Sequence, residues 1–203
     1  MENYEKETIA AIATALSDSG IGIVRISGEN AIYIVDSIFR SASGKKILTK
    51  VQSHMIHYGY IVDKDENIID EVMTSVMKAP KSYTMEDTVE INCHGGVLVM
   101  QKVLETVLQA GARLAEPGEF TKRAFLNGRI DLSRAEAVID VIHSQNEYAL
   151  SSSVSQLKGR LSDKIRSLRE DILYQIAFIE SALDDPEHIS LEGYPEQLAE
   201  KVT

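Results

Sequence analysis

The sequence predicts an α+β domain over residues 1–120 followed by an incomplete all-α domain over residues 121–203. Three observations point there. Glycines and short β-branched runs punctuate the first part, the pattern turns helical after Phe120, and apolar residues then recur with helical period from Val154 to Leu183. Hydrophobic residues make up 44% of the 203 and charged residues 26%, enough apolar side chain to close a core.

TIAAIAT (8–14) and IGIVRIS (21–27) are β-branched runs separated by SDSG, which reads as strand, loop, strand. A helix follows Ser27-Gly28, because Ala31, Ile34, Val35 and Ile38 repeat at helical spacing. Residues 55–63 and 68–79 flank the polar turn DKDEN and form a hairpin. TVEINC (88–93) is another strand. It runs through His94-Gly95-Gly96 into a helix carrying Val103, Leu104, Val107 and Leu108, which Gly111 stops at its C′ position. A short helix over 121–126 follows the turn EPGEF, and Ser133 with Glu136 reads as a capping box for the next helix. The apolar residues from Val154 to Leu183 lie about 3.6 apart, so one straight helix of roughly 58 Å is expected from Asn146 to Asp184, ending at Asp185-Pro186. Few residues remain to cover its stripe. The helical domain therefore reads as part of a larger bundle, in a chain that self-associates through this helix or leaves it mobile.

Charge narrows the function classes. The net charge is −10, with −6 over residues 1–121, +4 over 122–169 and −8 over 170–203. A dedicated duplex binder is excluded, since phosphate-dominated binding needs a cationic surface. The basic segment is either a solvated helix face or a local steering patch for a polyanion. One cysteine excludes a disulfide framework and a cysteine-built zinc site and fits a reducing cytosol. No run of about 18 apolar residues occurs, and the acidic start MENYEKETIA is unlike a signal peptide. The expected location is cytoplasmic, with no membrane partner.

Catalytic motifs are absent. The sequence holds no HExxH, GxSxG, CxxC or phosphate-cradling GxxxxGKS/T, and ISGENA has one glycine where a dinucleotide fingerprint needs three. Cys93 and His94 are strand neighbours that point to opposite faces, so they make no nucleophile and base pair. His54, His57, His143 and His188 have no metal-ligand spacing. Neither a catalytic residue nor a metal ligand is assigned, and the chain alone is not expected to bind GTP or NAD.

Three polar residues do ask for a reason. Arg25 falls inside the apolar strand IGIVRIS, where a guanidinium must find an anion or water. Glu90 stands in TVEINC, just before the HGG turn, where Gly95 and Gly96 would let a ligand approach the backbone. Either each snorkels from an edge strand or the two pair with each other, or they serve a ligand whose amidine-like edge engages the carboxylate. Arg129, in FLNGRIDLSRAEA, either caps a helix end or projects toward a shared pocket.

VRISG (24–28), EINCHGG (90–96), EPGEFTKRAFLNGRIDLSRAEAV (116–138) and the LDDP stretch together resemble the N-terminal part of the tRNA modification GTPase family MnmE, also called TrmE. The resemblance covers nearly the whole chain. It implies an N-terminal domain similar to folate-binding aminomethyltransferases, which dimerises and binds a tetrahydrofolate (5-formyl- or methylene-), and a helical domain into which a GTPase domain is inserted. It also implies that Arg25, Glu90 and Arg129 contact the folate. A flavin-dependent partner, MnmG or GidA, and tRNA are implied as well, the family installing an aminomethyl-type group on C5 of the wobble uridine. GTP, magnesium and potassium belong to the GTPase domain, which these 203 residues do not include, so no GTP hydrolysis is expected of them. The chain departs from the family in the loop before its second strand, TALSDSG in place of TPxGxGG. The alternatives are a free-standing folate-dependent one-carbon transferase and a non-catalytic interaction scaffold.

Overall fold

The computed structural model describes residues 7–42, 44, 48–188 and 191–202. They divide into two compact units, residues 1–130 and 131–203. The division falls at Ile130 rather than at Phe120, because the first helix after the composition change stays tied to the β-rich unit by ion pairs described below.

The first unit is a seven-stranded mixed sheet in the order β3-β4-β5-β6-β2-β1-β7. Its strands are β1 (Ile9–Ile12), β2 (Ser19–Ser27), β3 (Phe39–Ser41), β4 (Met55–Val62), β5 (Ile68–Met77), β6 (Thr88–Gly95) and β7 (Arg113–Leu114). All neighbours are antiparallel except β1 and β7. The expected hairpin is β4 and β5. Helices α1 (Ala31–Ile38) and α2 (Val97–Gln109) supply apolar residues to the core on one sheet face. Alternation along the strands explains this: Val24 and Ile26, Val72 and Val76, Val89 and Ile91 are buried with Ile34, Val35, Met100, Val103 and Val107. Each such side chain, fully buried, contributes about 1.5–3 kcal/mol of transfer free energy. Gly22 admits α2, since a Cβ there would stand 2.3 Å from Met100 Sδ. The intervening residues Arg25, Glu90, Asn92, Met73 and Ser75 belong to the side of the sheet opposite α1 and α2. A short helix, α3 (Glu119–Leu126), closes the unit.

The second unit is helical: α4 (Leu132–His143), α5 (Glu147–Leu157), α6 (Arg160–Asp184) and α7 (Tyr194–Val202). Two expectations are corrected here. Asp131, not Ser133, caps α4, its carboxylate accepting from Arg134 N at 2.9 Å while Ser133 Oγ donates to the same carboxylate. Asp131 sits directly before the first helical residue, where a side-chain acceptor meets the free amides. The single helix expected from Asn146 to Asp184 is two helices, because Gly159 takes φ +89° and a left-handed residue ends one helix and starts another. Asn146 does cap the first of them, accepting from Ala149 N at 2.8 Å. The Ser162 hydroxyl, 2.5 Å from Asp131 Oδ2, and the Arg134 amide hold the Asp131 carboxyl at about 2, and so lock α6 to the start of α4.

Candidate functional site

Strands β2 and β6 pair in a register that sets Arg25 directly opposite Glu90. Arg25 Nε donates to Glu90 Oε1 at 2.8 Å, a bond that engages one nitrogen and one oxygen. The two side chains keep 30% and 23% of their surface exposed, so the pair lies at the surface rather than in the core. The guanidinium carbon of Arg25 lies 5.8 Å from the centre of the Tyr83 ring and 5.6 Å from that of Phe120, within cation–π range of both.

Arg129 reaches the same aromatic ring. Its guanidinium carbon is 4.8 Å from the Tyr83 centroid, and its Nη1 donates to Tyr83 O at 2.9 Å. A glycine makes this possible. Gly128, at φ +77°, reverses the chain after α3; its amide bonds Phe125 O and the Arg129 amide bonds Ala124 O, the two bonds of a Schellman turn. Asn127 Nδ2 then takes Thr84 O at 2.7 Å, and the Tyr83 hydroxyl meets Thr121 Oγ1 at 3.0 Å. The Arg129 side chain thus clasps the β5–β6 loop while its amide closes the end of α3, and Arg25 and Arg129 meet at Tyr83, with Glu90 joined to them through Arg25.

A buried ion network holds α3 in place. Arg123 bridges Glu86 at 3.2 Å and Glu119 at 3.0 Å, and its Nη2 also donates to Glu7 O. Arg113 pairs with Glu119 from β7 at 2.7 Å. Burial alone would push the Glu119 carboxyl up; bonds from Arg113, the Glu116 amide and Arg123 outweigh it and hold it at about 2, against an ordinary 4.5. On the sheet side Glu86 accepts from Ser27 Oγ at 2.7 Å.

A cleft of about 530 Å³ opens beside this cluster, its lining including Arg129 and Tyr83 but neither Arg25 nor Glu90. The reading of Gly95 as an approach point for a ligand does not hold, since the place of a Cβ there is filled by Ser19, 2.2 Å from its Oγ. A Cβ at Gly96 would make only an ordinary contact, 3.8 Å from Val99 Cγ2. Cys93 is buried and His94 exposed; burial pushes the thiol up to about 11. His94 is instead paired with Asp70, whose carboxylate accepts from its Nδ1 and its backbone amide, each at 2.7 Å. Among the described residues no group of three His, Cys, Asp or Glu could hold a metal ion, and no helix is long and apolar enough to cross a membrane. Tyr83, Phe120 and Asn127 escaped the sequence reading. An aromatic in the polar loop KSYTMED was the one available signal.

A mixed-sheet unit with an arginine-rich, aromatic surface site, followed by a helical unit, defines the class: a two-part protein of one α+β unit and one all-α unit. The family model described as GTP-binding protein TrmE N-terminus matches residues 8–129, and the MnmE helical domain model matches residues 132–203. The chain belongs to the MnmE (TrmE) family. It is 63% identical over 196 residues to the tRNA modification GTPase MnmE of Lachnoclostridium phytofermentans, 55% over 199 residues to that of Geobacillus kaustophilus and 51% over 199 residues to that of Bacillus subtilis. Each alignment covers 97% of this chain and 43% of the relative, so the chain spans less than half the length of these relatives.

Proposed function

We propose that this chain is the folate-binding, dimerising portion of a tRNA modification GTPase, with Arg25, Glu90 and Arg129 holding a reduced folate. The meeting of Arg25 and Arg129 at Tyr83, with Glu90 held by Arg25, carries the reading. The residues suit the ligand chemically. Glu90 spends one oxygen on Arg25, leaving the other outside that bond for the amidine-like edge of a pterin. The Tyr83 ring offers a flat apolar face, and two guanidiniums balance the anionic end. When bound, a tetrahydrofolate supplies a one-carbon unit. The chain's own residues bind it, orient it and shield one edge from water.

The larger assignments rest on this reading and on the family. Acting on C5 of the wobble uridine of tRNA with a flavin-dependent partner, the whole protein would use the carbon brought here, in the cytoplasm. GTP hydrolysis with magnesium and potassium is assigned to a domain outside these 203 residues. Dimerisation is supported by exposed Ile56, Tyr58 and Met73 on the sheet side opposite α1 and α2, in the cross-strand rows that contain Glu90 and Asn92. A second reading, an interaction scaffold, draws on the direct Arg25–Glu90 pair, which needs no ligand.

Calorimetry with 5-formyl-tetrahydrofolate separates the two. Binding that weakens by about 1–3 kcal/mol in Arg129→Ala and in Glu90→Ala supports the folate site. Glu90→Ala should cost less than about 1 kcal/mol of stability, because the pair is partly exposed. No heat at high micromolar folate, or a melting temperature that collapses in Glu90→Ala without ligand, would favour the scaffold.

A further inference from the structure

The cleft beside Tyr83 is lined by His54, Lys81 and Arg129, with Met77, Pro80 and Met85 among its apolar walls. Among the described residues no carboxylate belongs to its lining. That is unexpected in a chain of net charge −10, and next to a loop that carries Glu86 and Asp87. Both acids are committed elsewhere: Glu86 to Arg123 and Ser27, and Asp87 to the Ala79 amide at 2.8 Å. The basic groups come from three different chain segments. His54 enters before β4 at φ +65°, its Nδ1 2.8 Å from Ser53 Oγ, while Ser53 Oγ in turn takes the Lys78 amide. Lys81 follows Pro80, and Arg129 arrives from the turn after α3, fixed by its bond to Tyr83 O.

Tyr83 lines the cleft together with Arg129 and also faces Arg25 of the Arg25–Glu90 pair, so a ligand gripped at the pair can extend past the ring into a basic channel that holds no acid among the described residues. We propose that this cleft receives the γ-linked glutamate tail of a folate, with Lys81 and His54 meeting carboxylates beyond the first residue of the tail. The proposal rests on the folate reading above and deepens it: the preferred ligand is a polyglutamylated folate, not a monoglutamate. Side-chain carboxylates spaced along a flexible tail suit cations from separate segments, and each charge-assisted bond in such a cleft adds to affinity without touching the pterin end.

The test is a ratio. Dissociation constants of the 203-residue chain are measured by calorimetry for the mono- and triglutamate forms of 5-formyl-tetrahydrofolate, for the unsubstituted protein and for Lys81→Glu, with circular dichroism confirming that the variant folds. The expected result is about tenfold tighter binding of the triglutamate, falling toward equality in Lys81→Glu, while the monoglutamate constant stays within about twofold. Equal constants for the two forms in the unsubstituted protein overturn the tail site and leave the pterin site standing. So does a preference that survives the charge reversal. Equal constants combined with loss of tRNA binding in Lys81→Glu would give the cleft to a phosphate backbone and overturn it equally. Absence of binding by either form removes the folate reading itself, and this proposal with it.

Discussion

Glu119 is 6% exposed and accepts bonds from two arginines and a backbone amide, so its charge is part of what fixes α3 to the sheet. Its folded carboxyl titrates at about 2 against an ordinary 4.5, which means the unfolded chain binds the proton more readily. The stabilisation is complete above the ordinary value and is lost as pH falls from about 5 toward 2. Roughly 3 kcal/mol is at stake. Denaturant midpoints measured across that window should fall with pH, and Glu119→Gln should flatten the fall while lowering stability at pH 7. A variant whose acid profile matches the parent would place the acid sensitivity elsewhere. His57 works in the same direction at higher pH, since burial lowers its pKa and its Nε2 has no partner among the described residues.

Helices α5 and α6 show how a period can be read correctly and a break missed. The apolar repeat runs through both without a change of step, so spacing alone gives one helix. The break is written in one residue, Gly159, whose left-handed φ is accompanied by close packing: a Cβ there would stand 1.9 Å from Arg134 Nη2. Arg134 comes from α4, a distant element that the local sequence does not announce. Gly159→Ala should therefore destabilise the helical unit by about 1 kcal/mol, read as a lower melting temperature at 222 nm. A higher melting temperature with added helicity would mean that α5 and α6 are continuous in solution. The same logic covers the cap of α4. Ser133 and Glu136 match the capping-box spacing, yet Asp131 has the shorter path to the free amides and wins.

At the scale of the whole molecule, β1, β2, the β4–β5 hairpin, β6 and the glycine that stops α2 were legible because alternation and turn chemistry are local, whereas the short β3 and β7 gave no such pattern. The site was only half legible. Arg25 and Glu90 stood out as charges in apolar strands, and the register that pairs them fits either a scaffold or a ligand site. Tyr83 could not be singled out, since its role comes from two arginines separated from it by about half the first unit. The sheet side opposite α1 and α2, with Ile56 65% exposed and Met73 46%, predicts association of two chains. Sedimentation should give a dimer, and Ile56→Glu with Met73→Glu should shift it to monomer while leaving the melting temperature nearly unchanged, because neither side chain is in the core. A dimer that survives the double change would put the interface on another surface.

The Asn127-Gly128 turn places Arg129 by counting residues from Ala124, not by packing a large side chain. An insertion or deletion between those two positions would swing the guanidinium off the Tyr83 carbonyl even if every residue type were kept. Loop grafting or tag insertion in this unit is better directed to the Asp63–Asn67 connection of the hairpin, which carries none of the candidate residues.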